Sequence, residues 1–341
     1  MSRIYLDHNA TAPLRAEARA AMIAAMDVVG NPSSVHAEGR AARALVEHAR
    51  AQVAQAVGCR PQEVIFTSGA SEAGQVLRGF ATQVDPTAHD ALWAQIGGTG
   101  GQSVHAMGLA NSETGVISEI PRTPPGEADF LMLDITQAIG RIAFSFAWSG
   151  ADMAICSAHK LGGPKGVGAL ILRQGIEIAP LSAGGGQEMG RRSGTENVIG
   201  IAGFGAAIEA AMADLKRGTW KEVEKLRNIL EFSIEDFSNR TIFVGKSEQR
   251  LPNTSCLLTE GWKGETQVMQ MDLAGFAISA GSACSSGKVR SSRVLAAMGF
   301  DAVEAACAVR VSLGPGTTEQ EIDRFVTCWL QKRSKHDARM A

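Results

Sequence analysis

No two of the six cysteines form a CxxC pair. They stand dispersed at Cys59, Cys156, Cys256, Cys284, Cys307 and Cys328, so neither a structural zinc site nor a disulfide framework is indicated. No excess of one charge is present either. The formal net charge of -2 gives no electrostatic ground for binding nucleic acid or an anionic membrane. The first residues, Met1 to Asp7, lack the apolar core of a secretory signal peptide. No run of about 18 uncharged apolar residues suggests a membrane span. These absences set the expectation of a cytoplasmic protein with no nucleic-acid partner, no membrane partner and no resident metal.

What is present is an ordinary globular composition, 45% hydrophobic and 20% charged over 341 residues. That length holds one large or two medium domains. The 38 glycines fall largely in clusters, which points to loops where backbone approaches something closely.

Along the chain, residues 3–13 read as an extended arm ending in a turn. Helical periodicity covers 14–28 and about 39–57, with Gly58 as a C-terminal stop. Residues 63–68 read as a buried strand, followed by a small-residue turn and a helix to about Gly79. Residues 81–108 carry no clear pattern up to a strand at 103–110. Further strands are expected at 129–134, 151–156 and 167–173. A long helical region from about Val198 to Phe237 leads to a second domain. There a strand at 275–279, a small-residue loop around Cys284, a short strand around Arg310 and a last helix from Thr318 to about Arg333 follow. Strands alternating with helices predict an α/β fold with a mostly parallel sheet, whose ligands bind at the strand carboxyl ends.

Ser71, Asn111, Asp134, Gln137 and Lys160 all fall at predicted strand carboxyl ends. Ser71 is either a plain N-cap or a hydroxyl facing an anion. Lys160, in Ser157-Ala158-His159-Lys160, is either an ordinary loop charge or a desolvated amine of the kind that forms Schiff bases. Arg310, among apolar neighbours, either binds a carboxylate or phosphate or closes a structural salt bridge. Cys284 sits in a small-residue loop with Lys288 and Arg290 nearby to favour its thiolate.

Taken together, YLDHNATAP, GNPSSVH, FTSGASE, DITQAIG, SAHKLGGPKGVGAL, GGGQEMGRRSGTENV, SAGSACSSG and VRVSLGPGTTEQEID resemble, in order and across nearly the whole chain, the group I cysteine desulfurases. These are class V aminotransferase-like enzymes of pyridoxal phosphate (PLP) fold type I. The resemblance implies a large PLP-binding domain over 15–216, with a mostly parallel sheet flanked by helices. It implies a smaller α+β domain from 1–14 and 217–341 that carries the cysteine loop. By position, Lys160 is similar to the lysine that links to the cofactor. Asp134 would pair with the pyridine nitrogen and Gln137 with the ring hydroxyl oxygen. Ala70, Ser71, Ser157 and His159 would hold the phosphate, with Thr195 reaching it from the other subunit of a homodimer. Arg310 and Asn111 would bind the substrate, L-cysteine. Cys284 resembles the nucleophile that takes the sulfur as a persulfide, on a loop of the long type. It would pass that sulfur to an acceptor or iron–sulfur scaffold protein, and would itself be at most a transient iron–sulfur ligand.

The sequence departs from the family pattern in two places. The family has a longer segment, with an extra helix and strand, where this chain has only residues 90–110 between His89 and Asn111. Thr87-Ala88-His89-Asp90 is similar to the motif around the histidine that stacks on the ring and moves protons. Ser112 stands where the family has a second, cofactor-binding asparagine. These departures give a second reading, a catalytically weakened or inactive desulfurase-like scaffold or regulator of cluster assembly. A third is a related lyase acting on selenocysteine.

Overall fold

The computed structural model describes residues 3–340 apart from 99, 239 and 282–291. Cys284 therefore lies outside the described residues. The strands among them are β1 (Ile4–Tyr5), β2 (Val64–Thr67), β3 (Ala81–Val84), β4 (Ser103–Gly108), β5 (Phe130–Asp134), β6 (Met153–Ser157), β7 (Gly168–Leu172), β8 (Thr241–Phe243), β9 (Thr254–Thr259), β10 (Phe276–Ala277), β11 (Ser279–Ala280) and β12 (Ala308–Ser312). The chain divides into two compact units.

The larger unit comprises Thr11–Ala110 and Ser118–Arg217. Its sheet has the order β2-β7-β6-β5-β4-β3. Strands β3 to β6 are parallel, and β7 runs against both its neighbours. Every residue of β2, β6 and β7 is buried, as a sheet covered on both faces requires. One face packs Ile65, Val104, Ala106, Met132, Met153, Ile155, Leu170 and Leu172 into a single cluster. The alternate residues meet helices, with Phe66 edge-on to Phe204 of the helix Val198–Arg217.

That helix is long and apolar enough to cross a membrane by length and composition alone. Just over half of its apolar stretch, 56%, is buried against the protein instead. Its glycines explain the fit: a Cβ on Gly205 would stand 2.8 Å from the Cα of Ala49 in the helix Ala37–Val57. The expected run from Val198 to Phe237 is broken at Gly218, whose φ of 79° ends one helix and starts the next at Thr219.

Residues 81–84, unassigned from sequence, form the edge strand β3. Beyond it, Thr82 and Gly97 exchange backbone hydrogen bonds of 2.8 and 3.1 Å. The shortened segment thus folds back onto the sheet edge. The helix expected to run to Gly79 is α-helical only over Ala70–Ala73 and tightens to a 3-10 helix over Gly74–Gly79.

The smaller unit comprises Met1–Ala10, Asn111–Ile117 and Gly218–Ala341. The sequence had grouped 111–117 with the large domain. Backbone bonds from Leu251 N to Gly115 O (2.7 Å) and from Ile117 N to Gln249 O (2.8 Å) tie it to the smaller unit. The sheet β11-β12-β9-β8 is antiparallel throughout. The expected strand 275–279 is two short strands in different sheets: β10 pairs with β1, and β11 with β12. Trp262, Trp329 and Phe325 are fully buried beside them. The last helix is longer than expected, Glu319–Met340.

Candidate active site

In the larger unit, pairing register brings the strand carboxyl ends level. Gly108 lies opposite Asp134, Asp134 opposite Ile155, and both Ser157 and Thr67 opposite Gly168. The turns after β2, β5 and β6 therefore open at one end of the sheet. Asp134 is 7% exposed, and its Oδ1 accepts from Thr136 N at 2.9 Å. Gln137 is buried, and its Oε1 accepts from Arg141 Nη1. This fixes which end of the amide is the acceptor. Arg141 also donates through Nη2 to Lys160 O at 2.8 Å. One buried guanidinium thus holds the turn after β5 to the lysine turn after β6. Sequence reading passed over Arg141, although its place four residues after Gln137 on a helical turn was a legible signal.

Ser157 is buried, and its Oγ accepts from Ala70 N at 2.8 Å. Gly69 and Gly168 make this crossing: a Cβ on Gly168 would lie 2.6 Å from the Cα of Gly69. Ser71 and Thr195 are exposed. His159 is half-buried, with Nδ1 3.2 Å from Thr11 Oγ1. Its pKa is pushed down to about 4, by burial first and then by the charges of Lys160 and Lys165. The ring is therefore neutral at physiological pH. His89 is exposed and caps the short helix Asp90–Trp93, its Nδ1 accepting from Ala91 N at 3.1 Å, so the proton sits on Nε2. The loop carrying Thr195 is moored by Glu188, which accepts from Arg50 Nη1 and Nη2 (2.7 and 2.9 Å) and from Phe66 N (2.9 Å).

In the smaller unit, Arg310 is 8% exposed on β12. Its Nη2 donates to Asp7 Oδ1 at 2.7 Å and its Nη1 to Ser112 O at 3.0 Å. Ser112 also accepts from Asn9 Nδ2 at 3.1 Å through the same carbonyl. These contacts use backbone, so they do not depend on serine or asparagine at 112. Asn111 Oδ1 accepts from Glu113 N and Thr114 N, closing an Asx turn. Asp7, in the arm read as a simple extended segment, is the partner that sequence reading missed.

The sequence profile of the aminotransferase class-V family matches residues 4–129 and 101–325. A cysteine desulfurase of Cereibacter sphaeroides is 36% identical, over 96% of this chain and 94% of its own length. Cysteine desulfurase IscS of Dictyoglomus turgidum is 32% identical, over 94% and 92%. Among solved structures, a NifS-like protein superposes with a TM-score of 0.87 at 30% identity, over 97% of this chain and 99% of that one. A NifS-like protein from Rickettsia africae gives 0.88 at 28%, with the same coverage. The chain belongs to the aminotransferase class-V family, and within it to the group I cysteine desulfurases.

Proposed function

We propose that this protein is a PLP-dependent cysteine desulfurase that takes the sulfur of L-cysteine onto Cys284 and releases L-alanine. The assembly of Asp134, Gln137, Ser157, His159 and Lys160 around aligned strand ends carries this reading. Those residues fit the cofactor chemically. A buried carboxylate suits a protonated pyridine nitrogen, and the Lys160 amine suits an aldehyde. The hydroxyls of Ser71 and Ser157, the Ala70 amide and a neutral His159 suit a phosphate. Bound there, PLP supplies an electron sink beside the amino-acid carbon.

With the cofactor bound, Asp134 would keep its pyridine nitrogen protonated, and the Gln137 amide N–H would donate to its ring oxygen. Lys160 takes the proton from the substrate α-carbon and later returns one to the product. The Cys284 thiolate attacks the substrate sulfur. An S–S bond forms, the C–S bond breaks, and its electron pair remains with the carbon that becomes alanine's methyl after protonation. His89 moves protons near the ring, and Arg310 and Asn111 hold the substrate. The persulfide then passes to an acceptor or iron–sulfur scaffold protein. The exposure of Thr195 supports its reaching the phosphate of a second subunit in a homodimer, and the same reading carries a cytoplasmic location.

The test is purified protein supplied with PLP and L-cysteine. Equimolar alanine and sulfide under reductant are expected, with Lys160→Ala releasing none and Cys284→Ala binding PLP but forming no persulfide. Wild-type protein that binds PLP yet releases no alanine refutes the reading.

A further inference from the structure

Arg310 is held by an acid that the scheme above does not use. Asp7 is fixed at both ends of its carboxylate: Oδ1 accepts from Arg310 Nη2 at 2.7 Å, and Oδ2 from Ser279 Oγ at 2.8 Å. Ser279 is the cross-strand neighbour of Arg310 in the β11–β12 pair. The backbone on either side of Asp7 is fixed as well. Leu6 N donates to Ala277 O, Ser312 N to Leu6 O and His8 N to Ser312 O, at 2.8 to 3.1 Å. The carboxylate therefore arrives from a strand-like arm with little freedom, and both charged groups are nearly out of water, at 15% and 10% side-chain exposure.

The rest of the guanidinium is arranged asymmetrically. Nη2 is held by Asp7 and Nη1 by the Ser112 carbonyl, while Nε is buried with no hydrogen-bond partner among the described residues. A planar fork held by one N–H on each terminal nitrogen has a fixed orientation, with N–H groups left over to receive a second carboxylate. Without Asp7 the long side chain would regain rotamer freedom, and binding would carry the cost of ordering it.

We propose that Asp7 is the positioning residue for Arg310: it aims the guanidinium at the substrate carboxylate, and the protein's preference for α-amino acids over carboxylate-free amines depends on it. The proposal rests on the reading of Arg310 as the carboxylate site, and the experiment separates the two. PLP-loaded protein is titrated with L-alanine and with ethylamine, the same amine scaffold lacking the carboxylate, and the ratio of dissociation constants is read from the cofactor absorbance. Arg310→Leu is expected to abolish the preference for alanine. Asp7→Ala is expected to lower it by about tenfold, the scale of one charge-assisted hydrogen bond, and to raise KM for L-cysteine more than it lowers kcat. Asp7→Asn keeps an acceptor for Nη2 and is expected to stay within about threefold of wild type on the same scale. Should Asp7→Ala not fold, Ser279→Ala releases Oδ2 alone and is expected to fall between the two. A preference kept by Asp7→Ala but lost by Arg310→Leu overturns the role of Asp7 alone. A preference kept by Arg310→Leu overturns the carboxylate-site reading, and the proposal with it. Equal losses in Asp7→Asn and Asp7→Ala overturn positioning, since charge rather than geometry would then be what matters.

Discussion

Glu188 is expected to be among the costliest single positions to neutralise in the larger unit. Its side chain is 2% exposed and that of Arg50 is 7% exposed, so solvent screens the pair little. Burial works against the Arg50 cation, but the Glu188 hydrogen bond and charge, helped by Glu47, hold its pKa above the ordinary value. Glu188→Gln leaves an acceptor for the Phe66 amide but removes the counter-charge. Stranding one member of a buried pair costs about 3–5 kcal/mol. Glu47 remains 3.3 Å from Arg50 as a half-exposed partial substitute, which argues for the lower end, about 3 kcal/mol. For a unit of this size that is a drop in Tm of about 6–12 °C. Calorimetry of wild type, Glu188→Gln and the double variant Arg50→Met/Glu188→Gln checks the reasoning. The double variant removes both charges and is expected to regain most of the loss. A double variant as unstable as Glu188→Gln, or a single-variant Tm within about 2 °C of wild type, would refute the account.

Two further outcomes follow from the titrating groups. His159 is kept neutral down to about pH 4 in the folded protein, whereas an unfolded histidine protonates near 6.5. Stability from this site is fully present above pH 6.5 and is lost as pH falls towards 4, because only the unfolded chain takes up the proton. Urea midpoints across that range should fall more steeply for wild type than for His159→Asn, and parallel lines would contradict the assignment. Burial pushes the thiols of Cys59, Cys156 and Cys256 up to about 12, with Glu63, Asp134 and Glu113 adding to it in turn. Iodoacetamide at pH 8 should leave all three unmodified in the folded protein and modify them in urea, as read by peptide mass mapping. Rapid native labelling of any of them would count against the burial argument.

The strands that carry site residues were legible because they are apolar on both faces and end in polar turns. β5 and β6 show this plainly, and Asp134 and Lys160 were placed correctly at or just past their ends. β3 was not legible. Ala81-Thr82-Gln83-Val84 is short and half polar, and pairing with β4 makes it a strand, which no local pattern announces. The division of 275–279 between two sheets has the same cause: the partners of β10 and β11 lie at opposite ends of the chain. Asp7 was invisible as the partner of Arg310 for that reason too, since 303 positions separate them. Ser112 shows the reverse error, in which a side-chain change drew attention while its contacts to Asn9 and Arg310 run through the carbonyl.

The N-terminal arm also sets an order of events during synthesis. Asn9 is fully buried, bonded through Nδ2 to Thr254 and through Oδ1 to Asn253, and its neighbour Leu6 accepts from Ser312. Apart from Ser112, the partners named for Leu6 to Asn9 lie in or beside β9 to β12, far along the chain from the arm. The larger unit holds its own contacts once Arg217 has emerged and can condense while translation continues. The arm completes its pairing only when β12 has followed it. Its closure onto Arg310 spans 303 positions and carries a large loop entropy, and a ribosome stalled before β12 would display an ordered larger unit and an arm still lacking its Arg310 and Ser312 partners.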